Sequence, residues 1–275
     1  FASLTPDGKI LDKTSTPTPE TLEDLLAWLD QRLSERDYRG IAMSVPGAVH
    51  QETGVIEGIS AIPYIHGFSW YEALAHHKLP VHLENDANCV GLSELLAHPE
   101  IENAACVVIG TGIGGAMIIN GKLHRGHHGL GGEFGYMTTI EPAEKLNNWS
   151  QLASTGNMVR YVIEKSGQSD WDGRKIYQEA AAGNALCQEA IERMNRNLAQ
   201  GLLNIQYLID PDVISLGGSI SQNPDFIKGV QEAVDTFVER YEEYTIAPVI
   251  QACTYQADAN LYGALVNWLQ EENQW

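Results

Sequence analysis

Glu84, Asn85 and Asp86 follow the apolar run Val81-His82-Leu83. They place a carboxylate and a carboxamide side by side at the C-terminal end of a strand, where open α/β sheets hold their ligand crevices. An aspartate there can accept the proton of a sugar hydroxyl during phosphoryl transfer, while the neighbouring amide holds the ring. Read locally, Asp86 serves equally well as the N-cap of a helix over residues 87–97. A second acid, Glu133, stands alone in the glycine-dense segment Gly129-Leu130-Gly131-Gly132-Glu133-Phe134-Gly135-Tyr136. Glycines let backbone and ligand come close, so Glu133 is a candidate acceptor for sugar hydroxyls. His124, His127 and His128 lie nearby without cysteines or carboxylates at ligand spacing, and are expected to be surface or hydrogen-bonding residues, not a metal centre.

Gly110, Gly112 and Gly115 satisfy G-x-G-x-x-G after the strand-like run Ala105-Cys106-Val107-Val108-Ile109. A dinucleotide-binding turn must open a helix, yet Ala116-Met117-Ile118-Ile119 and the hairpin dipeptide Asn120-Gly121 come next, so the turn joins two strands. Its amides, with the Thr111 hydroxyl, can still cradle phosphate oxygens. A purely structural hairpin corner fits the same residues. No Gly-Lys-Ser/Thr follows to make a Walker-type loop. A second glycine turn, Gly217-Gly218-Ser219, follows the strand-like Val213-Ile214-Ser215-Leu216, and two such turns in one half of the chain suit a nucleotide gripped at two places.

Strand and helix patterns alternate, which implies an α/β layer. A strand, a Pro6-Asp7-Gly8 turn and a second strand open the chain. Leucines at helical spacing follow from Leu22 to Leu33, with Thr18-Pro19 as the expected N-cap and first-turn proline. Residues 41–45 read as a buried strand ending at Pro46-Gly47, and a helix is expected around residues 70–76. The polar stretch 141–157 reads as a loop leading into a helix. Apolar spacings of three and four predict a long buried helix over 185–209, an acidic helix from 224 to about 244, and a last helix over 259–269.

Seventeen Lys and Arg against 36 Asp and Glu give a formal charge of −19 over 275 residues. Such a surface repels phosphate backbones and anionic headgroups, so neither nucleic acid nor a membrane is an expected partner. No apolar run reaches the roughly 20 residues that span a bilayer. Cys89, Cys106, Cys187 and Cys253 form no paired motif, which argues against a zinc knuckle or disulfide framework and for a reducing cytoplasm.

The ordered set Ser44-Val45-Pro46-Gly47, Glu84-Asn85-Asp86-Ala87-Asn88, the Gly110 to Gly115 turn, Gly132-Glu133-Phe134-Gly135 and Leu216-Gly217-Gly218 resembles the ROK family of sugar kinases, nearest its glucokinase and β-glucoside kinase branch. The likeness spans nearly the whole chain. It implies an α/β, actin-like (ribonuclease H-like) two-domain ATPase fold with an interdomain cleft. The expected domains are residues 1–104 plus 260–275, and residues 105–259. It further implies ATP and Mg2+, a sugar substrate, and a homodimer. By this resemblance Asp86 deprotonates the sugar 6-hydroxyl, with Asn85, Glu133 and Tyr136 contacting the sugar and Gly47 lining its pocket. Thr111 and Gly112 face the ATP phosphates, and Gly217 and Gly218 the adenosine. A non-catalytic sugar-binding module of the ROK repressor type is the alternative, although neither a helix-turn-helix domain nor a basic face is visible. Hydride transfer with NAD would rest on G-x-G-x-x-G alone.

Three departures accompany the likeness. The family's Asp-x-Gly-Gly-Thr phosphate loop is not present ahead of Phe1, from which a truncated chain is expected. The cysteine-rich zinc segment is replaced by the stretch through Asn147-Asn148-Trp149-Ser150, and its accompanying histidine by Tyr136, so structural zinc is not expected. Ser150 stands where the family has a glutamate, and with Tyr136 it is expected to bear on sugar selectivity.

Overall fold

A computed structural model describes residues 1–58, 60–139, 147–241 and 243–275. Ala2–Leu4 (β1) and Ile10–Lys13 (β2) form the expected antiparallel hairpin. The first helix, Leu22–Leu33 (α1), is capped by Thr21 and not by Thr18. The Thr21 hydroxyl accepts the Asp24 N–H at 3.1 Å and donates to the Asp24 carboxylate at 2.7 Å, a reciprocal pair that Thr18 has no partner to make.

Ile41–Val45 (β3) runs into a small ribbon of Ala48–His50 (β4) and Val55–Glu57 (β5). After Trp70–Ala73 (α2) and a single 3-10 turn, Val81–Asn85 (β6) pairs in parallel with β3, bringing Val45 opposite Asn85. Leu33, Ile41, Ile56, Trp70, Leu74 and Leu83 fill the core of this part. Among the described residues the β1–β2 hairpin does not pair with β3, and a cavity of ≈ 700 Å³ lined by Leu4, Met43, Leu265 and Trp268 separates them and reaches Asp86.

Asp86–Ala97 (α3) leads to Ala104–Ile109 (β7), Ile113–Ile119 (β8) and Lys122–Leu123 (β9). Asn120 and Gly121 take φ of +53° and +69°, the left-handed pair of a two-residue hairpin turn, so the glycine-rich turn before β8 does join two strands. Thr138–Thr139 (β10) pairs with Asn147–Asn148 (β11), followed by Trp149–Ala153 (α4) and Thr155–Ser166 (α5). The beginning of the stretch read as a loop, 141–146, lies outside the described residues.

Gly173–Ala181 (α6), Ala185–Ile209 (α7), Val213–Gly217 (β12), Pro224–Arg240 (α8), Ile250–Ala252 (β13) and Ala259–Glu271 (α9) complete the chain. The helix over 185–209 matches its apolar spacing to the residue.

The main sheet has the order β13-β12-β7-β8-β9, with β7, β12 and β13 parallel. Residues alternate across it, as a period of two requires. Ala105, Val107 and Ile109 pack in one cluster with Leu198, Leu202 and Ile205 of α7. Ala104 and Cys106 belong to the clusters that hold Leu92, Leu95 and Val90 of α3 and Val266 of α9. The helices α3 and α9 therefore lie between this sheet and the β3–β6 pair, and their crossing sets the spacing of the two halves. It is close because Gly263 has no side chain: a Cβ there would sit 1.8 Å from the Cys89 carbonyl oxygen. Replacing Gly263 with Ala should cost about 1–3 kcal/mol by forcing the helices apart, seen as a lower Tm in thermal unfolding. An unchanged Tm would show that the crossing yields freely.

Candidate active site

Two parallel pairs, β3–β6 and β7–β12, carry the turns of the site at their C-terminal ends. β3 delivers Gly47, β6 delivers Asn85, β7 delivers Gly110 and β12 delivers Gly218. Asn85, rather than Asp86, caps α3: its Oδ1 accepts the Ala87 and Asn88 N–H groups at 2.9 and 3.1 Å. Its Nδ2 donates to the Gly47 carbonyl at 3.1 Å, tying the ends of β3 and β6 together. Gly47 itself has φ +103°, and a Cβ would approach the Glu57 carbonyl to 2.6 Å, so only glycine makes this corner.

With the cap supplied by Asn85, Asp86 becomes the first residue of the helix and turns its carboxylate into the cleft. Its Oδ1 accepts the Ala87 N–H at 2.9 Å. Partial desolvation raises its pKa from the ordinary 3.8, outweighing the hydrogen bonds from the Ala87 and Asp86 amides and from Asn85 that act the other way. Across the cleft, Glu133 is raised from 4.5 by burial first and by the Asp86 charge second. The two carboxyl groups therefore face one space.

That space is a cavity of ≈ 550 Å³ lined by Asp86 and Val90 of α3, Asn260 of α9, Gly110, Gly112 and Gly114 of the glycine turn, and Glu133, Tyr136, Asn148 and Gln151. Tyr136, 73% exposed, stands at its rim. Gly132 brings Glu133 close to the sheet: at φ +90°, its Cβ would meet the Ala116 Cα at 2.7 Å. The Gly110 turn is braced from below, where the Gly156 N–H donates to the Gly110 carbonyl at 3.2 Å.

Of the residues singled out from sequence, Asp86, Glu133, Tyr136 and Gly112 line this cavity, while Asn85 and Gly47, joined by their mutual hydrogen bond, do not line it. Thr111, Gly217 and Gly218 stand beside it and do not line it. Gly218, at φ +91°, packs against the end of β7, where a Cβ would lie 2.1 Å from the Ile109 carbonyl oxygen, so the two glycine turns are neighbours. Ser150 does line the cavity, but its hydroxyl accepts the Ile113 N–H at 2.8 Å and donates to the Ile113 carbonyl at 3.2 Å. It fastens the glycine turn, which weakens the expectation that it reads the sugar. Asn148, Gln151 and Asn260 were not visible as site residues: none belongs to a motif, and the fold alone brings them to the cleft.

Among the described residues, Asp30, His76 and His77 bring three metal-type ligand atoms within 4.8 Å of one another. Both imidazole Nε2 atoms lie within hydrogen-bond distance of Asp30 Oδ1, at 3.0 and 2.7 Å, which accounts for the arrangement without an ion. No helix among the described residues is long and apolar enough to cross a membrane.

A family model described as the ROK family matches residues 2–271. The chain is 34% identical to a beta-glucoside kinase of Listeria monocytogenes, over 98% of this chain and 93% of that protein. Among solved structures it is similar to a ROK family protein from Streptococcus pneumoniae in complex with sucrose, with a TM-score of 0.98 and 88% identity, covering 100% of this chain and 95% of the other. It is also similar to a ROK hexokinase from Thermus thermophilus, with a TM-score of 0.83 and 25% identity, covering 97% and 93%. The fold is the actin-like, two-domain arrangement of these sugar kinases.

The facing carboxyl groups give a direct electrostatic test. Replacing Asp86 with Asn removes the charge that helps raise Glu133, so the Glu133 carboxyl should titrate lower, nearer 4.5, in NMR of carboxyl-labelled protein. An unmoved Glu133 titration would mean that the two groups do not share the cleft.

Proposed function

This chain belongs to the ROK family, and from that premise we propose that it transfers the γ-phosphoryl group of ATP to a sugar hydroxyl, with Asp86 as the general base. The observation that carries the reading is the placement of Asp86 in one cavity with Glu133 and the Gly110 turn. As the sugar oxygen attacks the γ-phosphorus, its proton passes to the Asp86 carboxylate and the bond to the β-phosphate oxygen breaks, releasing ADP. A desolvated carboxylate whose pKa is raised holds that proton better than an ordinary aspartate, which suits a general base. Glu133 and the Asn85 amide hold ring hydroxyls, and Tyr136 offers an aromatic face at the rim. Thr111 and Gly112 meet the phosphates, and the Gly217-Gly218 turn meets the adenosine. Mg2+, bound with the nucleotide, would supply charge neutralisation at the phosphates.

The domains in this reading are 1–104 with 260–275, and 105–259, supported by the separate apolar clusters around Trp70 and around α7. We take the substrate to be a hexose or β-glucoside phosphorylated at the 6-hydroxyl. The beta-glucoside kinase relative supports the glucoside, and the sucrose complex of the pneumococcal protein adds a disaccharide to the candidates. A cytoplasmic homodimer fits the four free cysteines and the family. The non-catalytic module is not favoured, because the Listeria relative matched over 93% of its length is a kinase.

Coupled assay of ADP release with glucose, N-acetyl sugars, cellobiose and sucrose tests the activity and ranks the substrates. Replacing Asp86 with Asn should preserve sugar binding and lower kcat at least about 10²-fold. Since the base must be ionised, kcat/KM of the wild type should fall on the acid side through a pKa above the ordinary 3.8. Full turnover by the Asp86→Asn protein would remove Asp86 from the chemistry.

A further inference from the structure

Arg125 belongs to no motif, yet it links the two sides of the cleft. It follows β9 at the start of the loop that ends in Glu133. Its carbonyl accepts the Gly131 N–H at 2.8 Å, and a Cβ on Gly131 would come within 2.9 Å of the Arg125 carbonyl, so the base of the loop closes on the Arg125 backbone. The side chain leaves this loop and crosses to the other half. Its Nε donates to Glu84 Oε2 at 2.6 Å, and its Nη2 donates to Asn267 Oδ1 at 2.7 Å and to Glu271 Oε1 at 3.1 Å on α9.

Glu84 is 2% exposed and immediately precedes Asn85 and Asp86. Its other oxygen, Oε1, accepts the Asn85 backbone N–H and the Asn88 amide, each at 2.8 Å. The chain of contacts thus runs from the Glu133 loop through Arg125 and Glu84 to the backbone that carries Asp86. A buried carboxylate needs such a partner, because one left without it is strongly disfavoured. The planar fork of arginine can hold Glu84 and α9 simultaneously, which a lysine ammonium on a flexible stem cannot. Cys89 and Tyr71 are near the cluster, but its charged members are Glu84, Glu271 and Arg125 itself.

We propose that Arg125 is a positioning residue for phosphoryl transfer: through Glu84 it fixes the Asn85-Asp86 backbone against the Glu133 loop, so that base and sugar-holding carboxylate keep one geometry. The proposal rests on Asp86 being the base. Arg125 touches neither the Gly110 nor the Gly217 turn in the contacts described, so its loss should leave the nucleotide in place.

The test compares Arg125→Lys, Arg125→Met, Glu84→Gln and the Arg125→Met/Glu84→Gln double variant, with Asp86→Asn as reference. All are assayed with the best sugar below the unfolding temperature that circular dichroism gives for each protein. Arg125→Lys should lower kcat about tenfold or more and raise the sugar KM, with the ATP KM within about twofold of wild type. The double variant should lose no more than Arg125→Met alone, since the two residues act as one link. Arg125→Lys keeps the charge and serves if Arg125→Met does not fold. A lower Tm with wild-type kcat and sugar KM for the folded Arg125→Lys protein would make Arg125 a structural brace only and overturn the proposal. So would an equal rise in both KM values. An Asp86→Asn protein with full turnover would instead overturn the underlying assignment of the base, whatever the Arg125 variants did.

Discussion

The Asn85 side chain is the constraint on which the rest of the cleft depends. Its oxygen closes the N-terminus of α3 and its nitrogen holds the Gly47 carbonyl, so one amide joins a helix start to the ends of two parallel strands. An N-cap of this kind is worth about 1 kcal/mol, a modest figure beside the burial of the α3–α9 layer. Its larger consequence is geometric. Because Asn85 occupies the capping role, Asp86 is released from it and faces the cleft.

Chemistry and stability pull in opposite directions there. Desolvation raises both Asp86 and Glu133, so ionising them is harder in the folded protein than in the unfolded chain. A carboxyl group with a raised folded-state pKa reduces stability as pH climbs from its ordinary value through the raised one, and the loss persists at neutral pH. Because Asp86 is only partly desolvated, solvent screening keeps this cost small. Glu84 has a different set of hydrogen-bond partners. It is buried more deeply than either, but three hydrogen-bond donors meet its two oxygens. Two carboxylates on either side of Asn85 thus divide the tasks: Glu84 is held fully bonded, and Asp86 faces the cleft.

Much of this was legible in the amino-acid sequence because the signals were local. Asn120-Gly121 after an apolar run turned a dinucleotide-like motif into a hairpin corner, and the strand-end Asn85-Asp86 pair marked the cleft. The choice between capping and chemistry for Asp86 was not legible, since both residues of the pair are good caps and only the Gly47 carbonyl decides which one serves. Thr18-Pro19 misled for a related reason: the cap with a reciprocal partner was three residues on. Arg125, Asn260 and Gln151 gave no signal at all. Their importance comes from the distant segments they meet, Glu84 and Glu271 for Arg125, and such meetings have no period or motif to announce them.

The central claim is that a sugar hydroxyl rests against Asp86 while Glu133 holds the same ring. A crystal structure with the best substrate and a non-hydrolysable ATP analogue tests it most directly. The account predicts the accepting hydroxyl about 2.6–3.2 Å from an Asp86 carboxylate oxygen, in line with the γ-phosphate, and a Glu133 contact to the same sugar. A sugar bound with no hydroxyl within reach of Asp86, and the phosphate directed elsewhere, would contradict it.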